Sequence, residues 1–205
     1  MKGDLSVVLI TSPEEEAEIT LAIARRALQG GVTGIVLRMP RATARELFEV
    51  ARKLRPATRK AGCLLIVHDR VDVALAADAD GVHLAGHSLP VASVKRMAKG
   101  GFRVGCSAHN LDDAGQFVNE GADYLFLSPV FPTLSHPERE AIGVAAYKEA
   151  ALRTHVPVLA LGGVSVNNVE QIAEAGGAGV AAISAFYMAE DPAETARAFR
   201  AAFGK

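Results

Sequence analysis

Tryptophan is absent from this 205-residue chain, and aromatic residues make up only 5% of it. Any core must therefore be built from Ala, Val, Leu, Ile and Gly. Cysteine is scarce too: Cys63 and Cys106 stand alone, too few for a disulfide framework. Neither has the neighbours of a thiolate nucleophile or a zinc site, so both read as reduced core thiols of a cytosolic protein. Neither sign of charge prevails, with 22 Lys and Arg interspersed among 23 Asp and Glu and a net charge of −1. That balance argues against nucleic acid and anionic membranes as partners. No apolar run approaches the roughly 18–20 residues that span a bilayer. Met1-Lys-Gly-Asp leads straight into a strand pattern without a signal-peptide profile, and the expected location is cytoplasmic. No Gly-x-Gly-x-x-Gly follows the first strand pattern, and no linker or low-complexity tract interrupts the chain.

What the chain has is regularity. Apolar runs recur at Ser6–Thr11, Gly34–Arg38, Leu64–His68, Gly81–Leu84, Arg103–Ser107, Tyr124–Ser128, Val158–Gly162 and Val180–Ser184. They show little polar alternation, as strands covered on both faces do. Ala/Glu/Arg-rich stretches of helical spacing lie between them, among them Glu14–Leu28, Ala42–Lys60, Leu111–Glu120 and Val166–Ala175. Ser12-Pro13, Asn110 and Asp191-Pro192 stand where helix entries are expected. A short layout repeats in GGVTGIVL (30–37), ADADGVHL (77–84), EGADYLFL (120–127) and AGGAGVAAI (175–183). Each is a helix end turning into a strand, so Asp80 and Asp123 read as structural, on the face opposite the strand C-termini. Eight β/α units in one chain predict a single domain over residues 1–205, a (β/α)₈ TIM barrel. A doubly wound open sheet is the alternative, and it ordinarily uses fewer strands.

In such a barrel, chemistry belongs at the C-terminal strand ends. Those ends hold Thr11, Ser12, Arg38, His68-Asp69-Arg70, Leu84 to Ser88, Ser107, His109, Pro129 to His136, Gly162-Gly163 and Ser184-Ala185. Gly162 and Gly163 either make a tight turn or let the backbone approach an oxyanion. With Ile183-Ser184 on the next strand, they suggest a phosphate site. Asp69 has three readings: a Mg²⁺ ligand, a partner for Arg70, or a helix cap. One carboxylate makes a poor metal site, and no metal is expected. His83 falls mid-strand and reads as a buried, satisfied histidine. His87 and His136 fall in loops over the mouth and suit proton transfer near neutral pH. His109 either acts at the mouth or begins the next helix. Arg38 either binds a substrate carboxylate or pairs with a local Glu.

The motifs HDRVDVALAADADGVHL, VGCSAHNLDDA, GADYLFLSPVFPT, ALGGVSVNN and GVAAIS, in that order, resemble the thiamin phosphate synthase / TenI family over roughly residues 5 to 190. Members of that family are (β/α)₈ barrels, and many dimerise, so a homodimer is an open expectation. The resemblance implies a small thiazole phosphate as ligand. It places Ser107, Thr133, Gly163 and Ser184 at phosphate or pyrophosphate contacts, Ser135 near the phosphate, and Val130-Phe131-Pro132 as a wall for a flat heterocycle. Two activities occur in the family. The synthase joins a hydroxymethylpyrimidine pyrophosphate to a thiazole phosphate with Mg²⁺; TenI-type tautomerases aromatise a thiazole carboxylate phosphate.

Departures from the synthase pattern decide the expectation. The family's Gln-x-Arg-x-Lys is here Val36-Leu37-Arg38-Met39-Pro40, without the lysine. Its Asn-Asp is His68-Asp69, its Gly-Gln-x-Asp is Ala85-Gly86-His87-Ser88, and its Thr-x-Thr-Lys is Thr133-Leu134-Ser135-His136. Two lysines and a carboxylate are missing, and departure of a pyrophosphate needs cations. The expected activity is therefore that of an isomerase, a thiazole tautomerase without cofactor, with His136 or His87 moving the proton. The histidine of the tautomerase motif Gly-His-Val-Phe is here Pro129. A Mg²⁺-dependent synthase and a non-catalytic thiazole- or thiamin-phosphate-binding regulator are the alternatives.

Overall fold

Short apolar runs buried on both faces form the parallel strands of a closed (β/α)₈ barrel. The computed structural model describes residues 5–86, 88–98, 100–133 and 138–204. The strands are β1 (Val7–Ile10), β2 (Gly34–Leu37), β3 (Leu64–His68), β4 (Gly81–Leu84), β5 (Arg103–Ala108), β6 (Tyr124–Leu127), β7 (Val158–Ala160) and β8 (Gly179–Ala182). Each pairs with the next, and β8 closes on β1 with Ala181 opposite Val8. Around them run α1 (Ala17–Gly30), α2 (Ala44–Ala61), α3 (Val71–Ala76), α4 (Val91–Met97), α5 (Leu111–Asn119), α6 (Gly143–Arg153), α7 (Val169–Glu174), α8 (Ser184–Tyr187) and α9 (Pro192–Ala202).

The period of two along each strand separates two cores. Val7, Leu9, Ile35, Leu37, Val82 and Leu84 face the helices. Val8, Ile10, Val36, Ile66, Tyr124, Phe126 and Leu159 fill the barrel. By the same alternation His83 and Ser107 belong to the inner set, which is how two polar side chains reach the middle of an aliphatic barrel.

The repeated turns have one physical job. Asp80 receives the N–H of Leu65 at 2.9 Å and a two-pronged contact from Arg55 at 2.6 and 3.0 Å. Asp123 receives the N–H of Val104 at 2.6 Å and pairs with Lys95 at 2.7 and 2.8 Å. Thr33 does the same with its hydroxyl, accepting from Ser6 and Val7 at 2.9 and 3.0 Å. In each case the residue before one strand holds the entry of the preceding strand. At the fourth copy the position is Ala178. There Tyr147 donates its hydroxyl to Val158 and Gly179 carbonyls at 3.0 and 3.2 Å instead.

Asn110 and Asp191 cap α5 and α9 with their side chains, as expected. Ser12-Pro13 does not cap α1: the helix starts at Ala17, and the Ser12 hydroxyl accepts from Glu14 N–H in a turn. Strands β7 and β8 end earlier than expected. Gly162 and Gly163 have φ of 90° and 66°, which an extended strand cannot continue, and Ser184 already opens α8. Among the described residues, no helix is long and apolar enough to cross a membrane.

Candidate functional site

The C-terminal strand ends surround a cavity of about 910 Å³, within the usual range for a small-molecule site. Its apolar surface includes Ile10, Val36, Phe126, Pro129 and Leu161. Arg38, Ser107, Thr133, Gly162, Gly163, Ile183 and Ser184 all line it, so the barrel brings together residues up to 146 positions apart (Arg38 to Ser184). Phe131 does not. It packs on Gly163, where an added Cβ would lie 2.7 Å from the Phe131 Cβ. Val130 is buried against the helices, and the flat wall falls to Phe126 and Pro129. His87, Ser135 and His136 lie outside the described residues.

Arg38 ends β2 with its backbone fixed to Thr11, whose hydroxyl accepts from Arg38 N–H at 2.8 Å and donates to Arg38 O at 2.9 Å. Burial lowers its pKa, with Glu14 opposing that shift. The side chain makes no ion pair among the described residues; Glu14 meets Arg41 at 3.5 Å instead. A half-buried guanidinium that no carboxylate among the described residues contacts, with Glu14 acting on it only from beyond ion-pair distance, suits an anion.

The two glycines serve both of their expected roles. Beyond their left-handed φ, a Cβ on Gly162 would lie 2.7 Å from Pro129, and one on Gly163 would lie 2.4 Å from the Pro132 carbonyl oxygen. The loop after β6 therefore packs directly on the loop after β7. The N–H groups of Gly163, Ile183 and Ser184 find no acceptor among the described residues. Asn168 braces the same loop, donating to Gly163 O at 2.9 Å and accepting from Ser165 N–H at 2.8 Å.

Among the described residues, Asp69 is neither the partner of Arg70 nor the cap of α3. Arg70 pairs with Asp72, at 2.9 and 2.5 Å, and α3 has no side-chain cap. Asp69 adopts φ of 69°, strained for a non-glycine residue, and accepts the Ser88 hydroxyl, which itself accepts Ala85 N–H at 2.7 Å. Among the described residues there is no cluster of three His, Cys, Asp or Glu side chains that could hold a metal by itself.

Two site residues escape sequence reasoning. His83 is buried and satisfied as expected, at 2% exposure, yet it also forms part of the cavity. Arg139 reaches the rim from the loop before α6 and contacts His109. His109 precedes the capped helix rather than starting it; its Nδ1–H donates to Ser128 O at 2.8 Å and its N–H to Asp113 at 3.0 Å. No period marks a loop arginine, and only its arrival at the mouth reveals it.

Comparison with known proteins adds identity to this geometry. A family model described as thiamine monophosphate synthase matches residues 7–186. A thiamine-phosphate synthase of Chloroflexus aurantiacus is 42% identical over 181 residues, covering 88% of this chain and 83% of that protein. One from Pyrococcus furiosus is 36% identical over 191 residues, 93% and 91% of the two chains. The solved thiamine phosphate pyrophosphorylase of Pyrococcus furiosus superposes with a TM-score of 0.89 at 35% identity, covering 99% and 97%. These relatives overturn the expected isomerase assignment: they carry the synthase name, not that of a TenI tautomerase. The expectation counted cations only at motif positions, and Arg139 enters the mouth from outside the motifs.

Proposed function

The chain belongs to the thiamine monophosphate synthase family, and we propose that it is a transferase that joins a pyrimidine diphosphate to a thiazole phosphate and releases pyrophosphate. Kinship over nearly the whole barrel carries this reading. The bond from the pyrimidine's methylene carbon to the diphosphate breaks as the thiazole takes its place. The leaving group carries about three negative charges and needs cations around it.

Arg38 and Arg139 supply two of them in this cavity. Arg38 is the better placed, since it is half-buried where Arg139 is exposed, so that its charge is screened less by solvent. The N–H groups of Gly163, Ile183 and Ser184, without an acceptor among the described residues, suit the thiazole's phosphate, with Thr133 lining the same cavity. Phe126 and Pro129 offer flat apolar surface to the heterocycles.

The family reaction uses Mg²⁺. A single carboxylate is a poor site by itself, and the described residues offer no cluster of three ligands, but Mg²⁺ is commonly held by one or two carboxylates together with substrate phosphate oxygens and water. Asp69 directly follows His68, which ends β3 and lines the cavity. Its carboxylate, which accepts the Ser88 hydroxyl, is the one that would hold the ion, and the ion would neutralise charge on the diphosphate. Incubation of the purified chain with both substrates and Mg²⁺, read by mass spectrometry for the coupled product, tests the proposal. No product above an enzyme-free control sinks it.

A further inference from the structure

A run of three polar groups crosses the barrel interior. His83 Nδ1 lies 3.2 Å from the Tyr124 hydroxyl, and His83 Nε2 lies 2.9 Å from the Ser107 hydroxyl. His83 is 2% exposed and Tyr124 0%. The imidazole stacks on Phe126, with ring centres 4.2 Å apart. Only Ser107 and His83 of the three reach the cavity surface.

The protonation states follow from burial. Desolvation holds His83 well below the ordinary histidine pKa, and the nearby His68 adds to the effect. Desolvation holds the Tyr124 phenol well above its ordinary value, with Cys106 and Asp123 adding to it. Buried at 2% exposure between two neutral hydroxyls, with no carboxylate bonded to its ring among the described residues, His83 is a neutral imidazole, with one nitrogen donating and the other accepting, and the fully buried Tyr124 keeps its O–H.

Two hydrogen-bond directions remain. In one, Tyr124 O–H donates to Nδ1 and Nε2–H donates to Ser107. In the other, Ser107 donates to Nε2 and Nδ1–H donates to the phenol oxygen. The second strands the Tyr124 proton, for which the structure gives no other acceptor among the described residues. An unpaired buried donor is disfavoured by about tenfold or more. Gly105 keeps the phenol from escaping this arrangement: the ring lies so close over it that a Cβ there would be 2.0 Å from Tyr124 Cζ.

We infer that Tyr124 and His83 are positioning residues that fix the Ser107 hydroxyl as a hydrogen-bond donor to the ligand in the cavity. With Nε2–H occupying a lone pair of Ser107, the hydroxyl's own proton is left for the cavity. The group it meets is an acceptor, which on the proposed transfer reading is an oxygen of the diphosphate. A diphosphate has acceptors and no donors near neutral pH, so a serine free to turn either way would recognise it less well. The relay rests on that reading for the identity of the ligand only.

Two experiments test it. Long-range ¹⁵N–¹H correlation spectra of the ¹⁵N-histidine-labelled protein, with His83 assigned by loss of its signals in His83→Gln, report the tautomer directly. The expected result is a protonated Nε2 and a bare Nδ1, unchanged from pH 6 to 8. A protonated Nδ1, or an imidazolium in that range, overturns the relay. In steady-state kinetics, Tyr124→Phe is expected to raise KM for the pyrimidine diphosphate about tenfold and leave that for the thiazole phosphate unchanged. Ser107→Ala should do the same, and the double variant no more than the worse single. Additive losses, or equal effects on both substrates, overturn it. If the wild-type chain transfers nothing, the transferase proposal fails, and the nitrogen spectra alone decide the relay.

Discussion

Arg139 holds its Nη1 3.1 Å from both ring nitrogens of His109. Equal distances do not fit one in-plane hydrogen bond, and Nδ1 already donates to Ser128 O at 2.8 Å. Nη1 therefore sits over the imidazole face rather than in its plane, a placement arginine favours on aromatic rings. The ring acts as a shelf that keeps an exposed arginine at the cavity rim, its other N–H groups unbonded among the described residues.

Removing that cation should weaken the charged substrate. Arg139→Ala is expected to raise KM for the pyrimidine diphosphate by about tenfold, since a charge-assisted hydrogen bond is worth roughly 1.5–3 kcal/mol. Arg139→Lys should recover only part of this, because an ammonium lacks the flat fork that rests on His109. Steady-state kinetics with each substrate varied in turn check both outcomes.

The paired loops after β6 and β7 make Gly163 irreplaceable. Its φ of 66° and the Pro132 carbonyl oxygen, 2.4 Å from where an alanine would place its Cβ, leave no room for a side chain. Gly163→Ala should lower stability by about 2 kcal/mol and weaken thiazole phosphate binding at least about tenfold, measured by thermal melting and calorimetry. Gly115→Ala is the control. It lies exposed in α5 with nothing near its Cβ direction, and should stabilise by about 0.5–1 kcal/mol.

At the opposite end of the barrel, Asp80 is expected to matter for stability alone. Asp80→Ala removes the acceptor of Leu65 N–H and leaves Arg55, whose side chain is 14% exposed, without its partner. A loss of about 2–4 kcal/mol in urea unfolding is expected, with kcat/KM within about twofold of wild type. A larger kinetic effect would place this turn in the functional machinery.

The two thiols should be inert in the folded protein. Burial pushes Cys106 up to about 12, with Glu120 and Asp123 adding to it, and burial raises Cys63 further. Since the thiolate is the reactive form, an aromatic disulfide reagent at pH 8 should titrate less than one thiol per chain natively and both in denaturant.

Much of the architecture was legible because it rests on local chemistry. Continuous apolar runs marked β3 and β4 to the residue, and the aspartates before β4 and β6 were read as structural from their place in a repeat. The closing ends of β7 and β8 were overrun, since Leu161 and Ile183 continue an apolar pattern that left-handed glycines and a short helix interrupt. Arg38, Ser107 and the glycine pair were reachable from the strand-end rule. The link from Tyr124 through His83 to Ser107 was not, because it joins three different strands, and only the barrel's register shows that they face one another. Arg139 is hidden for a similar reason, since it belongs to no strand end or motif, and the isomerase expectation is overturned by the relatives, which carry the synthase name.

The most direct measurement follows inorganic pyrophosphate released by the purified chain given pyrimidine diphosphate, thiazole phosphate and Mg²⁺, with each omitted in turn. The expected result is release that requires both organic substrates, equals the thiamine phosphate formed, and falls at least about tenfold in Arg38→Ala. No such release, alongside conversion of a non-aromatic thiazole carboxylate phosphate to its aromatic tautomer by the same preparation, would contradict the transferase reading.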